Sequence, residues 1–276
     1  MLPSFCKDLA LHLGSMDFSG GSEFGQGADG VAFGATNADA CVERRKGSIL
    51  IVLHQESSTP GRVGQVVRDR GHRLEVRRPA LGEPLPSDLS PYAGLVVFGG
   101  PMSANDPDGF IAQEIALMER ALRVGLPTLG ICLGAQMLVR ALGGRVAARD
   151  DGAVEIGWYP LHATKAGQQL IAKWPTSVYQ WHSEGFDLPH GAELLASAEL
   201  YPNQAFRVGS AIGIQFHGEL THAMMCKWTV KGAAKLCLPH AQDRRQHLTG
   251  RLRHDRALYA WLQALLMERF GVAQRA

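Results

Sequence analysis

Cysteine is scarce in this 276-residue chain, and its five cysteines form no Cys-x-x-Cys pair. An odd and widely spaced set predicts neither a disulfide framework nor a zinc site. No apolar run approaches the roughly 18 residues needed to cross a bilayer, and the first residues have no signal-peptide pattern. The sequence therefore predicts a reduced, cytoplasmic protein that needs no metal and no cofactor and does not contact a membrane.

A strong charge of either sign is also missing. The 28 Lys and Arg residues nearly balance the 26 Asp and Glu residues, which leaves a net charge of +2. This balance gives no electrostatic reason to expect a nucleic-acid partner. The basic stretch at residues 244–256 is interpreted as a solvated surface.

Regular hydrophobic periodicity is absent from the first part of the chain. Residues 1–46 are rich in Gly, Ser, Ala and Asp and follow neither a helical nor a strand pattern. Such a composition is typical of a disordered or loosely attached extension. We expect residues 47–276 to form a single domain that ends in helices.

From Ser48 onward, short β-branched runs alternate with helical patterns. Strands are predicted at residues 48–54, 72–78, 94–100 and 126–131, with amphipathic helices between them. This alternation predicts an α/β fold with an open, mostly parallel sheet flanked by helices. The second half adds further strand patterns, followed by helices from about Leu220.

The helix before the fourth strand has clear start signals. Asp106 is the predicted N-cap and Pro107 the predicted first helical residue. Ile111, Ile115 and Met118 lie on one stripe, which indicates a core-facing helix.

The stretch Leu129–Leu138, LGICLGAQML, interrupts an apolar run with Gly130-x-Cys132-x-Gly134. This is the spacing of a nucleophile elbow, in which small flanking residues let a strand and a helix approach while the central side chain sits on a strained turn. A buried inert cysteine would not require these glycines. We therefore predict that Cys132 is a nucleophile at the carboxyl end of a central strand, where open α/β sheets place their sites.

A nucleophilic cysteine needs a base and donors for an oxyanion. His217 ends a strand-like run, and Glu219 follows at a spacing that allows its carboxylate to orient the imidazole. The candidate donors are the backbone amides of Gly100, in a Gly-Gly-Pro turn after a strand, and of Leu133, at the positive end of the next helix.

Three motifs in this order, Gly99-Gly100-Pro101, Gly130-Ile-Cys132-Leu-Gly134-Ala-Gln136 and Gln215-Phe-His217-x-Glu219, resemble those of the class I glutamine amidotransferase domain, in particular the glutaminase part of GMP synthase. The resemblance covers roughly residues 48–219 and implies the flavodoxin-like architecture of that family. One departure is Gly218, where the family usually has proline. A second expectation is that the glutaminase part stands alone, because no ATP-pyrophosphatase or other synthetase pattern follows it.

The resemblance implies that Cys132 attacks the side-chain amide of glutamine, that His217 and Glu219 complete a triad, and that Gly100 and Leu133 form the oxyanion hole. Gln136 would contact the bound glutamine. The segment at residues 179–189 resembles the family's substrate-side loop, so that backbone near Ser183, beside His182, would hold the charged end of the amino acid.

Three functions remain open from the sequence. The first is a glutaminase that serves a separate synthetase or acceptor subunit. The second is a γ-glutamyl peptidase or hydrolase with the same triad and a larger substrate. The third is a non-catalytic binding relative, against which the intact Cys, His and Glu set argues.

Overall fold

The computed structural model describes residues 47–271. The extension predicted at residues 1–46 lies outside this range, and the division of the chain into an extension and one domain stays a prediction. No helix of the described range is both long and apolar enough to cross a membrane.

The described residues contain twelve strands. In chain order they are β1 Ser48–Val52, β2 Leu74–Arg77, β3 Tyr92–Val97, β4 Thr128–Ile131, β5 Val146–Ala148, β6 Glu155–Pro160, β7 His162–Ala163, β8 Ser177–His182, β9 Glu184–Phe186, β10 Glu193–Ser197, β11 Ala205–Val208 and β12 Ala211–Ile214.

Eight of these strands form one open sheet in the order β2-β1-β3-β4-β12-β11-β10-β7. The five strands from β2 to β12 pair in parallel, and the remaining three continue the sheet antiparallel. The predicted open, mostly parallel sheet is confirmed. Two antiparallel pairs, β5 with β9 and β6 with β8, lie outside it.

Six α-helices accompany the strands: α1 Gly61–Asp69, α2 Gly109–Arg123, α3 Leu133–Ala141, α4 Lys165–Leu170, α5 His222–Lys231 and α6 Arg244–Phe270. Alternate residues of β1 face opposite sides of the sheet. Ile49 and Ile51 belong to the core that includes α1 and α6, whereas Leu50 and Val52 belong to the core that includes α2 and α3. The sheet is therefore covered by helices on both faces.

The predicted start of α2 is wrong by two residues. The helix begins at Gly109 with Asp108 at the N-cap position. Asp106 is unavailable as a cap because its carboxylate accepts the Ser103 amide at 2.9 Å, while its own amide donates to the Ser103 carbonyl. The turn therefore occupies the Asp106 carboxylate, which an N-cap residue would use to accept an amide of the first helical turn.

The turn between β4 and α3 depends on two glycines. A Cβ at Gly130 would lie 2.6 Å from the Gly134 carbonyl oxygen, and a Cβ at Gly134 would collide with the Val97 carbonyl oxygen of β3. Neither backbone neighbour can rotate away as a flexible side chain could. The close approach of β3, β4 and α3 therefore requires glycine at both positions.

Gly134→Ala should lower the free energy of unfolding by about 1–3 kcal/mol or more, because the added methyl group overpacks against backbone. Chemical denaturation of the purified protein measures the change. Gly109→Ala is the matched control, since Gly109 is also helical and a Cβ there meets nothing within 4 Å. Equal stability of the Gly134→Ala variant and the wild type would contradict this account of the turn.

Candidate active site

Cys132 has an unusual backbone conformation. It has φ +52° and ψ −108°, a region that non-glycine residues rarely occupy, and it forms the N-cap of α3. Its amide donates to the Ile214 carbonyl of β12 at 2.8 Å, which holds the strained residue in place. The side chain is 6% exposed and lines a cavity. The predicted elbow at the end of β4 is confirmed.

The parallel sheet brings the three sequence motifs together. β3, β4 and β12 are neighbours, and their carboxyl ends meet at one edge of the sheet. Gly99 and Gly100 follow β3, Cys132 follows β4, and His217 follows β12. Residues far apart in sequence therefore lie around a single point.

His217 and Glu219 form a buried pair, with His217 Nδ1 2.7 Å from Glu219 Oε1. Both side chains are at most 5% exposed. The second ring nitrogen of His217, Nε2, is buried and has no well-formed hydrogen bond within the described range. The edge of the Trp228 ring packs against the imidazole, with ring centroids 4.9 Å apart. The imidazole is thus held in one orientation by Glu219 and Trp228.

Two opposing effects set the pKa of His217. Burial lowers this pKa, but the Glu219 carboxylate and the neighbouring Cys132 side chain raise it by more, so the pKa of His217 is raised overall to about 10. A protonated His217 at neutral pH is the partner that a thiolate on Cys132 requires.

The predicted oxyanion donors also lie at this point. Leu133 is the first residue of α3, so its amide has no acceptor within the helix. The Gly100 amide donates to no backbone carbonyl in the described part of the chain. A Cβ at Gly99 would approach His217 Cε1 to 2.9 Å. The glycine turn therefore packs directly against the imidazole.

A second buried histidine–glutamate pair, His54 and Glu114, supports the turn at Gly99. The Nδ1–H of His54 donates to the Gly99 carbonyl at 3.1 Å, and His54 Nε2 is hydrogen-bonded to Glu114 Oε2 at 2.8 Å. Both side chains are fully buried. Glu114 belongs to α2, so the pair ties the glycine turn to a core helix. The sequence analysis did not identify this pair.

The three predicted substrate-binding residues, Gln136, His182 and Ser183, all line the cavity, but they differ in which polar atoms already have a hydrogen-bond partner. Gln136 uses its amide nitrogen on the Glu184 carbonyl and on Gln215 Oε1, and its oxygen accepts no hydrogen bond among the described residues. Both ring nitrogens of His182 are occupied, by the Glu184 carbonyl and by the carboxylate of Glu155. The His182 ring is therefore committed to the protein and leaves no nitrogen for a substrate.

Ser183 is exposed, and its carbonyl accepts a hydrogen bond from the Tyr201 hydroxyl at 3.0 Å. The segment at residues 179–189, interpreted from the sequence as a loop, is largely two strands, β8 and β9, joined at Ser183. The antiparallel pairings of these strands with β6 and β5 explain the difference.

Gln215 is a further site residue that the sequence analysis did not assign. Its amide nitrogen lies 3.7 Å from the Cys132 sulfur, and its oxygen accepts from Gln136. A usable signal was present, because Gln215 belongs to the same short sequence motif as His217 and Glu219.

Cys132, His217 and Glu219 line a cavity of about 510 Å³, together with Gly100, Leu133 and the three predicted substrate-binding residues. Trp181, Trp228 and lysines of α5 and of the turn after it belong to the same lining. Within residues 47–271, no group of three or more His, Cys, Asp or Glu side chains could hold a metal ion. The cavity thus joins the predicted nucleophile, base and oxyanion donors, a set of groups suited to acyl transfer.

The pKa of His217 provides a test of the pair with Glu219. Glu219→Gln removes the carboxylate that raises this pKa, so His217 is less readily protonated at pH 7 and Cys132 loses a cationic neighbour. We expect alkylation of Cys132 by iodoacetamide at pH 7 to slow by about tenfold and to recover as the pH rises.

Mass spectrometry of the digested protein follows each cysteine separately. The exposed Cys237 is the internal control, and its rate should be the same in both proteins. Identical pH profiles for Cys132 in wild type and Glu219→Gln would contradict the proposed charge coupling.

Proteins similar in sequence to this chain are found in several organisms. A glutamine amidotransferase-like protein of Salmonella typhimurium, YfeJ, is 34% identical over 180 residues, which cover 62% of this chain and 74% of that protein. A glutamine-hydrolysing GMP synthase of Porphyromonas gingivalis is 35% identical over 179 residues, 63% of this chain and 33% of that enzyme. The chain therefore spans about a third of the GMP synthase.

Solved structures agree in fold. A glutamine amidotransferase from Thermotoga maritima has a TM-score of 0.74 at 32% identity and covers 81% of this chain and 98% of its own. A second, from Methylobacillus flagellatus, has a TM-score of 0.76 at 27% identity and covers 84% and 96%. The family model for glutamine amidotransferase class-I matches residues 54–228. The chain belongs to the class I glutamine amidotransferase family.

Proposed function

We propose that this protein hydrolyses the side-chain amide of glutamine to glutamate and ammonia through a thioester on Cys132. The observation that carries the proposal is the strained Cys132 beside the buried His217–Glu219 pair. In the first half of the reaction, the thiolate attacks the γ-carbonyl carbon and the oxyanion is bound by the amides of Gly100 and Leu133. His217 then gives its proton to the departing nitrogen, and ammonia leaves.

The second half of the reaction releases glutamate. Water enters, His217 takes a proton from it, and the resulting hydroxide attacks the thioester carbon. The C–S bond breaks, and the Cys132 thiolate forms again beside the protonated His217. Glu219 keeps the imidazole oriented throughout and stabilises its charged form.

Substrate contacts are assigned on the basis of which groups are free. The Gln136 oxygen is free to accept from the α-ammonium group, and the backbone amide of Ser183, whose carbonyl already accepts from Tyr201, is assigned to the charged end of the amino acid. His182 acts on the substrate only by positioning Glu184 and the β8–β9 turn.

We infer that ammonia released here passes to a separate synthetase or acceptor subunit. The support is the likeness to part of a GMP synthase, which the chain matches over a third of that enzyme's length. Such a partner should speed glutamine hydrolysis when it closes the site. Unrestrained hydrolysis by the isolated chain would instead favour a free-standing hydrolase.

A γ-glutamyl peptidase remains the second candidate because the cavity volume, about 510 Å³, is within the range that holds ligands larger than one amino acid. It uses the same thioester and differs only in the leaving group. A non-catalytic binding protein is disfavoured by the complete set of Cys132, His217 and Glu219.

Cys132→Ala should reduce glutamine hydrolysis by a factor on the order of 10⁴ or more, because it removes the nucleophile. His217→Ala should cause a similar loss, and Glu219→Ala a smaller one, since the carboxylate orients and does not attack. Ammonia release from glutamine measures all three.

Cys237→Ala is the matched control, because this cysteine is free, exposed and outside the cavity. The Cys237→Ala variant should hydrolyse glutamine as fast as the wild type. Full turnover by Cys132→Ala would reject the thioester mechanism. A Glu219→Ala loss larger than the other two would reject the assignment of roles.

A further inference from the structure

The cavity has a second end that the glutamine chemistry does not use. Beyond Cys132 and His217, its wall is formed by the Trp181 and Trp228 rings, which meet edge to face with centroids 5.8 Å apart. The rim beyond these rings is formed by Lys227, Lys231 and Lys235. An aromatic wall followed by a cationic rim is suited to an organic anion.

The lysines follow one another at four-residue intervals, two on α5 and the third on the turn at Ala233–Cys237. Lys227 donates to the Ser57 carbonyl at 3.1 Å, which fixes α5 against the opposite side of the cavity. Lys231 and Lys235 are exposed and form no ion pair with any residue in the range 47–271. Neither lysine is therefore neutralised by a carboxylate of the described residues.

The sequence around these lysines contains no acidic residue that could compensate their positive charge. No Asp or Glu occurs between Glu219 and Asp243. Like charges four residues apart destabilise a helix, although lysine in a last turn suits the helix dipole. Three lysines line the cavity against two carboxylates, Glu219, which is paired with His217, and Glu184, which accepts from the Ser103 hydroxyl. The lysine end therefore attracts an anion from solution.

We propose that the cavity takes γ-glutamyl amides whose leaving amine carries a carboxylate, namely γ-glutamyl amino acids and short γ-glutamyl peptides, and that Lys231 and Lys235 bind this carboxylate. The inference rests on the proposed function, because it uses the same attack by Cys132. The C–S bond forms, the C–N bond breaks, and His217 protonates the departing amino acid or peptide in place of ammonia. Water then hydrolyses the thioester to glutamate.

A matched pair of substrates isolates the carboxylate. γ-Glutamylglycine carries it, whereas γ-glutamylglycinamide has the same shape without the charge. We expect Lys231→Ala/Lys235→Ala to lower kcat/KM for γ-glutamylglycine by about tenfold, through KM, as for loss of a charge-assisted hydrogen bond. For γ-glutamylglycinamide and for glutamine, kcat/KM should change by less than about twofold, since surface charges away from a site contribute little.

The control is Lys165→Ala/Lys173→Ala, which removes two exposed lysines outside the cavity and should leave both substrates unaffected. Lys231→Glu/Lys235→Glu should enlarge the effect on γ-glutamylglycine, and salt should reduce the wild-type preference.

The outcomes separate this inference from the proposed function. If wild type hydrolyses glutamine through Cys132 but does not prefer γ-glutamylglycine to its amide, the inference alone is wrong, and the rim is then a surface for a protein partner. If the lysine variants slow glutamine equally, the rim binds the α-carboxylate and the leaving-group assignment is wrong. If Cys132→Ala leaves every hydrolysis unchanged, the proposed function fails and the inference fails with it.

Discussion

The strained backbone of Cys132 is the constraint on which the rest of the site depends. A positive φ at a non-glycine residue persists only where the surroundings determine it fully. Here the Cys132 amide is held by the Ile214 carbonyl, and α3 can follow at once because Gly130 and Gly134 have no side chains. The same turn presents the Leu133 amide to the cavity. The positions of the proposed nucleophile, of the proposed Leu133 oxyanion donor and of the N-terminus of α3 are thus consequences of one local geometry.

Buried histidine–glutamate pairs organise the groups around this turn. His217–Glu219 is the proposed base, His54–Glu114 holds the Gly99 carbonyl, and His182–Glu155 holds the Glu184 carbonyl. In the last two pairs the histidine donates its Nδ1–H to a backbone carbonyl, so backbone at the cavity is fixed by core residues. A buried pair of this kind is costly to break, because either partner alone would leave a polar group unsatisfied.

The sequence predicted those parts of the site that are local in the chain. The elbow around Cys132 and the His217–Glu219 pair depend on spacings of two residues, which a single sequence displays directly. The open, mostly parallel sheet was predicted from the alternation of strand and helix patterns, but the order of its strands was not. The roles of these residues in catalysis remain predictions.

What the sequence did not predict depends on tertiary contacts. In the sequence, Glu114 is only a polar position on a core-facing helix. Its partner His54 lies sixty residues earlier, so no local pattern connects the two. The start of α2 was misplaced because Asp106 and Asp108 are equivalent by propensity, and only the Ser103 turn distinguishes them. The strands β8 and β9 have pairing partners that no local pattern identifies.

The central claim is that the acyl group of the substrate is carried on Cys132. The most direct measurement is acid quenching of the protein during turnover of glutamine, followed by digestion and mass spectrometry of all cysteine peptides. The account predicts a γ-glutamyl adduct on the peptide that contains Cys132, which disappears in Cys132→Ala. Amide hydrolysis with no adduct on Cys132, or with the adduct on another residue, would contradict it.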